Sequence, residues 1–470
     1  MLKHSFRRFG LLHSTLGIFD TSSKGYQMGI IPPCQAIPGH NPLIREDGNS
    51  SLAQSTLSNG VRVVSEVGAY PGSVFVGVTI DSGTRDETAK NSGVVHALEK
   101  TFLKTNVRTN EQINYGMIQM SGGRFNMSYN QEFIHYSGQC LSHDTYDFLQ
   151  MLSDIVLDEK TVMDEEAAQW RIDEWWKLRN VNITIPKRIE ELWLSTAYGY
   201  TGFGMPLSGF ESNFQNIGFY AMNSFRKSYI TPERMIVWGA GIENHADFVQ
   251  AVTPYFDKLE PIKSKARTPS KYIGGEYKEL LDSPLTHVGL SFHGLPRSNP
   301  DTNAAYVLKY VIGKKGAGLH NRAATKFGKY KGLAYLDPHH TTFQDTGNFR
   351  INFAAANDNI GEVCQGVVNE IKDLTNITQE EVDRAKNYLV KEAINKFLDP
   401  GVRVMKSVAT MHQTGQLRST ANFVKDVEDV TLDRVKATAE KIFKTFPTVV
   451  TIGGNVHDVS SAEAFFAKLK

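Results

Sequence analysis

The chain has 470 residues, 41% of them hydrophobic and 10% aromatic, which exceeds one ordinary core and predicts two or more domains. Its 51 basic and 50 acidic residues nearly cancel, so no global positive field is available to hold a nucleic acid through its phosphates. The three distant cysteines, Cys34, Cys140 and Cys364, build neither a disulfide framework nor a CxxC knuckle and suit a reducing compartment; no apolar run approaches the roughly 20 residues that span a bilayer.

Residues 1–24 open with MLKHSFRRFGLLHSTLGIF, which carries Lys3, Arg7 and Arg8 and no acid before Asp20. That pattern predicts a mitochondrial targeting segment. Residues 25–55, with four prolines and few apolar clusters, read as an extended arm. A first domain is expected over 56–260. Within it, SVFVGVTIDSG alternates Val74, Val76, Val78 and Ile80 with a second face and reads as a half-buried strand ending in glycine. SGVVHALEKTFLKT, Ser92–Thr105, reads as a helix with Val95, Leu98, Phe102 and Leu103 towards a core. Phe148, Met151, Leu152, Ile155 and Val156 form one helix face, and Thr161-x-x-Asp164 opens a long helix through Trp176. Trp170, Trp175 and Trp176 on that helix read as core or subunit interface rather than as a binding platform. The domain closes on Pro232 and the strand MIVWGAG.

Residues 261–272, PIKSKARTPSKY, lack hydrophobic period and read as a linker. The second domain, 273–470, repeats the plan. LTHVGLSFHG alternates Val288, Leu290 and Phe292; Val363, Val367, Val368 and Ile371 make a helix stripe; Thr378-x-x-Glu381 caps a helix running to about Lys396. Asp144 matches Asp358, an offset of 214 (358 − 144), and Pro232 matches Pro447, an offset of 215 (447 − 232). A constant offset indicates duplication. The fold class expected is α+β: two homologous domains, each a mainly antiparallel sheet with helices packed on one face.

The chemistry lies in His96, Glu99 and Lys100, which share one helix edge. An inverted zinc peptidase uses H-x-x-E-H, with two histidines one turn apart on the metal and a glutamate that activates water. Here Lys100 takes the second histidine's place. An ammonium has three donors and no lone pair, and its charge opposes a dication. Taken alone, H-x-x-E fits a hydrogen-bonded core histidine better than a ligand.

Context adds a resemblance. TLSNGVRVVSE, GVTIDSGTRDET, SGVVHALEKTFLKT, SGGRFNMSYNQE and YITPERMIVWGAG, in that order, resemble the first domain of the mitochondrial processing peptidase family. That family belongs to the insulinase/pitrilysin-type metallopeptidase superfamily. YIGGEYKELLDSPLTHVGLSF, FQDTGNFRINF and EEVDRAKNYLVKEA carry the likeness through the second domain, so it covers Leu52–Gly454. H-x-x-E-K is similar to the family's alpha-type version. The resemblance implies a clamshell of two domains, with His96 and Gly318 on opposed walls. It also implies a degenerate zinc site in which Glu174 stands where a third ligand would, no cofactor in this chain, and zinc in a beta-type partner. The family's alpha-type chains carry a long glycine-studded loop that handles substrate. Here VIGKKGAGLHNRAA, Val311–Ala324, offers only Gly313, Gly316 and Gly318, enough for a tight turn, with Lys314 and Lys315 placed to repel basic peptides.

The function implied is a non-catalytic alpha-type subunit acting as a matrix-side core subunit of the ubiquinol–cytochrome c reductase complex (complex III), peripheral to the mitochondrial inner membrane. Its partners would be a beta-type subunit, other complex III subunits and basic presequence peptides. The alternatives are a dedicated presequence-binding alpha subunit of a soluble processing peptidase and a self-sufficient zinc endopeptidase, the latter disfavoured by Lys100.

Overall fold

Alternating apolar residues in SVFVGVTI build β3 (Ser73–Ile80), which pairs antiparallel on both sides. The sheet around it runs β1 (Ser51–Thr56), β2 (Arg62–Val67), β6 (Met235–Ile242), β3, β5 (Ile134–Leu141) and β4 (Arg124–Tyr129). Only β2 and β6 pair in parallel. A second sheet repeats this order and these directions without a counterpart of β1. It runs β7 (Gly275–Leu280), β11 (Thr448–Gly453), β8 (Leu285–Gly294), β10 (Gly347–Ala356) and β9 (Leu333–Thr342), with β7 and β11 parallel. The computed structural model describes residues 51–68, 72–103, 105–119, 123–158, 174, 177, 183–316 and 320–470, all within one compact unit, Ile44–Lys470. The expected targeting segment, Cys34, Thr161, Asp164, Trp170, Trp175, Trp176 and Gly318 lie outside the described residues.

In the first half the helices with described bounds are α1 (Val94–Lys100), α2 (Asn110–Gln119), α3 (Thr145–Leu157), α4 (Ile185–Tyr198), α5 (Phe219–Tyr229) and α6 (His245–Phe256). In the second they are α7 (Thr302–Ile312), α8 (Arg322–Phe327), α9 (Ile360–Asp373), α10 (Gln379–Lys396), α11 (Pro400–Thr414), α12 (Thr420–Glu428), α13 (Leu432–Phe443) and α14 (Ala462–Leu469). The stripe Phe148, Met151, Leu152, Ile155 and Val156 on α3 joins a core with Val74, Val76, Val78 and Ile80. Val363, Val367, Val368 and Ile371 on α9 do the same against Val288, Leu290 and Phe292. Thr378 and Glu381 close the expected capping box at the start of α10.

The opposite face of each sheet is covered by a helix from the other half. Ile189, Trp193, Leu194 and Ala197 of α4 pack on Val450 and Ile452 of β11. Val404, Val408 and Met411 of α11 pack on Val64, Ile236, Trp238 and Ala240 of the first sheet. The starts of α4 and α11 are again 215 residues apart (400 − 185). This exchange corrects the expectation of half-buried strands: β3 is buried on both faces from Val76 onward. Its small second-face residues, Gly77 and Thr79, are small because something packs there. A Cβ on Gly77 would lie 2.4 Å from Trp238 Cζ2.

One expected boundary changes, and one expected linker is more tightly held than its sequence suggests. The segment read as an arm over 25–55 ends in β1, whose register with β2 runs from Ser51 opposite Val67 to Thr56 opposite Arg62. A strand with one polar, solvated edge shows little apolar alternation in sequence. The segment read as a linker carries no helix or strand, yet it is fastened along its length. Arg267 binds Asp81 Oδ1 at 2.6 Å and Asp86 Oδ2 at 2.7 Å, and the Ser270 amide donates to Asp345 at 2.8 Å.

Candidate functional site

α1 enters its first turn from Gly93, held at φ 104°, a conformation that favours glycine. The helix N-terminus is fastened by Glu87, which accepts from the Gly93 amide (Oε2, 2.9 Å) and the Val95 amide (Oε1, 2.9 Å). Burial pushes the Glu87 carboxyl up to about 8 even though two amide donors favour its charged form. Glu87 lies in the quoted TRDET segment, and nothing in the sequence separated it from its acidic neighbour Asp86.

From that start, Val95 and Leu98 point into the core and His96 sits 2% exposed above it. His96 Nδ1 is 3.0 Å from the Tyr129 hydroxyl, which in turn donates to the Leu207 carbonyl at 2.9 Å. Tyr129, at the end of β4, was missed because an alternating strand gives no sign of which tyrosine meets a helix. One turn on, Lys100 Nζ lies 3.0 Å from Glu99 Oε2, and that same oxygen is 3.7 Å from His96 Nδ1. The three expected residues therefore meet on one edge of α1, with an ammonium beside the carboxylate. In a zinc peptidase that carboxylate would polarise a water; here it neutralises a lysine. Lys100 also ends the helix with a positive charge, where the macrodipole favours one.

Glu174 lies half-buried in a helical turn. Among the described residues no three histidine, cysteine, aspartate or glutamate side chains converge into a metal cage. The donor set at α1 suits zinc poorly on its own chemistry, since Lys100 offers no lone pair and compensates Glu99.

The short glycine loop follows α7. Gly313 (φ 71°) and Gly316 (φ 88°) both adopt left-handed backbone, and a Cβ on Gly313 would strike Asn321 at 2.4 Å. The Lys315 amide donates to Leu336 of β9 at 3.0 Å. Lys314 pairs with Asp337 at 2.8 Å, and the Lys315 ammonium donates to the Leu333 carbonyl. Both lysines thus have partners within the fold, with Lys314 still 56% exposed.

Two family descriptions match this chain. "Insulinase (Peptidase family M16)" matches residues 62–209 and "Peptidase M16 inactive domain" matches residues 217–389. The chain belongs to the M16, or insulinase-type, peptidase family. Its relatives narrow the class. It is 24% identical over 445 residues to mitochondrial-processing peptidase subunit alpha-2 of Dictyostelium discoideum, covering 91% of this chain and 97% of that one. It is 30% identical over 289 residues to the ubiquinol-cytochrome-c reductase complex core protein I of Euglena gracilis, covering 61% of this chain and 58% of the relative. In fold it is similar to a chain of complex III2 from Candida albicans, with TM-score 0.77, 16% identity and coverage of 89% and 100%.

Proposed function

We propose that this chain is a non-catalytic alpha-type subunit that works beside a zinc-bearing beta-type partner as a matrix-side core subunit of the ubiquinol–cytochrome c reductase complex. The observation that carries the reading is Lys100 in the second histidine position, 3.0 Å from Glu99 on an otherwise intact peptidase helix. A chain so built holds no zinc and activates no water, and its retained fold serves assembly. The turn at Gly313–Gly316 supports the core role over a dedicated presequence receptor, because a substrate-handling loop needs backbone freedom and these four residues are fastened to β9. The names of the Dictyostelium and Euglena relatives, both mitochondrial, support the location. No helix among the described residues is long and apolar enough to cross a membrane, so attachment would be peripheral.

Two measurements test the proposal. Metal analysis of chelator-free protein should find no stoichiometric zinc, and one zinc per chain that disappears on His96→Ala would overturn the non-catalytic reading. Affinity purification from mitochondria should bring down a beta-type subunit together with cytochromes. A beta-type subunit alone would instead favour the soluble processing peptidase.

A further inference from the structure

The second half repeats the surroundings of the degenerate site with different chemistry. By order in sheet and chain, α7 stands where α1 does, β9 where β4 does, and α11 where α4 does. Between α7, β9, α10, α11 and the start of α12 lies a cavity of about 360 Å³, within the range of small-molecule sites.

Its walls bring together Arg297, Lys309, Lys396 and Lys406. Among the described residues none of these four has a carboxylate within ion-pair distance. Of the two acids in the lining, Asp426 pairs with Arg418 at 2.8 Å, and Glu392, which accepts from the Tyr310 hydroxyl at 2.7 Å, leaves one carboxylate to set against the four cations. The cavity therefore holds more positive charge than its own carboxylates compensate.

The environment registers that charge. Lys406 is exposed and lines the cavity. Desolvation, and then the charges of Arg297 and Lys396, hold its ammonium below the ordinary lysine range. Burial pushes the Tyr306 phenol up, yet Lys406, Arg297 and Lys309 bring it below its usual value.

His340 of β9 also lines the cavity; it is 8% exposed, and its Nδ1 lies 3.1 Å from the Asn348 carbonyl, which makes that nitrogen the donor and keeps the imidazole beside the cations neutral.

We propose that this cavity binds a small phosphorylated molecule, with phosphoryl oxygens on Arg297, Lys396 and Lys406. A phosphoryl group concentrates close to two negative charges and three acceptor oxygens in a small volume, which suits four clustered cations better than a single carboxylate does. Ser419 and Thr420, at the N-terminus of the nine-residue α12, line the same wall and add a favourable dipole.

The test uses the full chain, with pyrophosphate and adenosine triphosphate as probes in calorimetry and thermal-shift titrations at fixed ionic strength. Vesicles of phosphatidic acid, against phosphatidylcholine, distinguish a lipid headgroup from a soluble ester. Saturable binding is expected, weakened at least tenfold in Lys396→Met/Lys406→Met and unchanged in Lys441→Met/Lys444→Met, exposed in the last turn of α13 and at its C-cap. The unliganded cavity variant should melt at the same temperature as the parent or higher, because its own repulsion has been relieved; a purely structural role predicts a loss. Equal binding by parent and cavity variant, or an equal effect of sulfate at the same ionic strength, overturns the proposal. Should the double variant not fold, Lys406→Gln decides by the same criteria.

Discussion

Lys100 acts on the site through its charge and its missing lone pair, and both effects can be separated from stability. Its pair with Glu99 is partly exposed, and such pairs contribute about 0–1 kcal/mol. Lys100→Met is therefore expected to leave the urea midpoint almost unchanged. Lys100→His is expected to do something different, placing a second imidazole one turn from His96 and freeing Glu99. Zinc content by metal analysis should rise from background towards one per chain. Unchanged zinc in a folded Lys100→His variant would show that the obstacle is another member of the donor set. Glu87 makes the opposite case, a residue away from the chemistry that matters to the fold. Glu87→Ala would leave the buried Gly93 and Val95 amides without their acceptor, at about 1–3 kcal/mol each. Denaturant unfolding should show a loss of that order, with the far-ultraviolet spectrum at low denaturant unchanged.

At the scale of elements, the strands and the paired helices were legible because their periods of two and 3.6 survive in the apolar residues, and their repetition near 214 survives in the chain. The exchange of α4 and α11 was not legible. An apolar face such as Val404, Val408 and Met411 says that a helix is buried, but not beneath which sheet. The only trace was on the receiving strands, where Gly77 and Thr79 look like a solvated face and in fact make room for Trp238. The exchange has a consequence for autonomy. Cut at the segment 261–274, the first half would expose Val64, Ile236, Trp238 and Ala240, and its α4 would present Trp193 and Leu194 to water. Exposed apolar surface of this kind promotes association. Residues 51–266 expressed alone are expected to be insoluble, whereas co-expression with 267–470 should return a soluble, co-purifying pair. A monomeric, cooperatively melting fragment 51–266 would show that the exchanged helices are dispensable.

Across the whole molecule the halves are joined by buried charges as well as by exchanged helices. Arg85 meets Glu132 at 3.0 Å and Asp345 at 3.1 Å, Glu132 also accepts from the Gln344 amide and the Gln413 side chain, and Arg403 clasps Glu66 at 2.8 Å. The residues of H-x-x-E-K were found from their spacing, but this network joins positions far apart in the chain and left no local pattern to read. The same interior holds three neutral histidines that make the assembly sensitive to acid. Burial brings His135 down to about 4 and His340 to about 3, and burial together with Arg62 holds His412 well below its usual value. His412 shows why. Arg62 donates to its Nδ1 at 2.9 Å, and its Nε2 faces the Thr79 carbonyl at 3.4 Å, so a second proton would set a cation against the guanidinium. In each case the folded state binds its proton less readily than the unfolded chain, whose histidines titrate near 6.5. The stability they contribute is complete above about pH 6.5 and is lost as the pH falls from there towards the folded values, by about 1.4 kcal/mol per unit for each histidine that protonates only on unfolding. Glu87, raised to about 8, works in the opposite sense and loses stability as the pH rises from about 4.5 towards 8. The melting temperature should therefore fall slightly from pH 7 to 8 and, with three histidines against one carboxyl, fall increasingly steeply from pH 6.5 down to 5. His412→Gln, which cannot titrate in this range, should flatten that fall even where it lowers the melting temperature at pH 7. A melting temperature constant from pH 7 to 5 in the parent protein would mean that these imidazoles are not held neutral, and the packing of α11 on the first sheet would need another explanation.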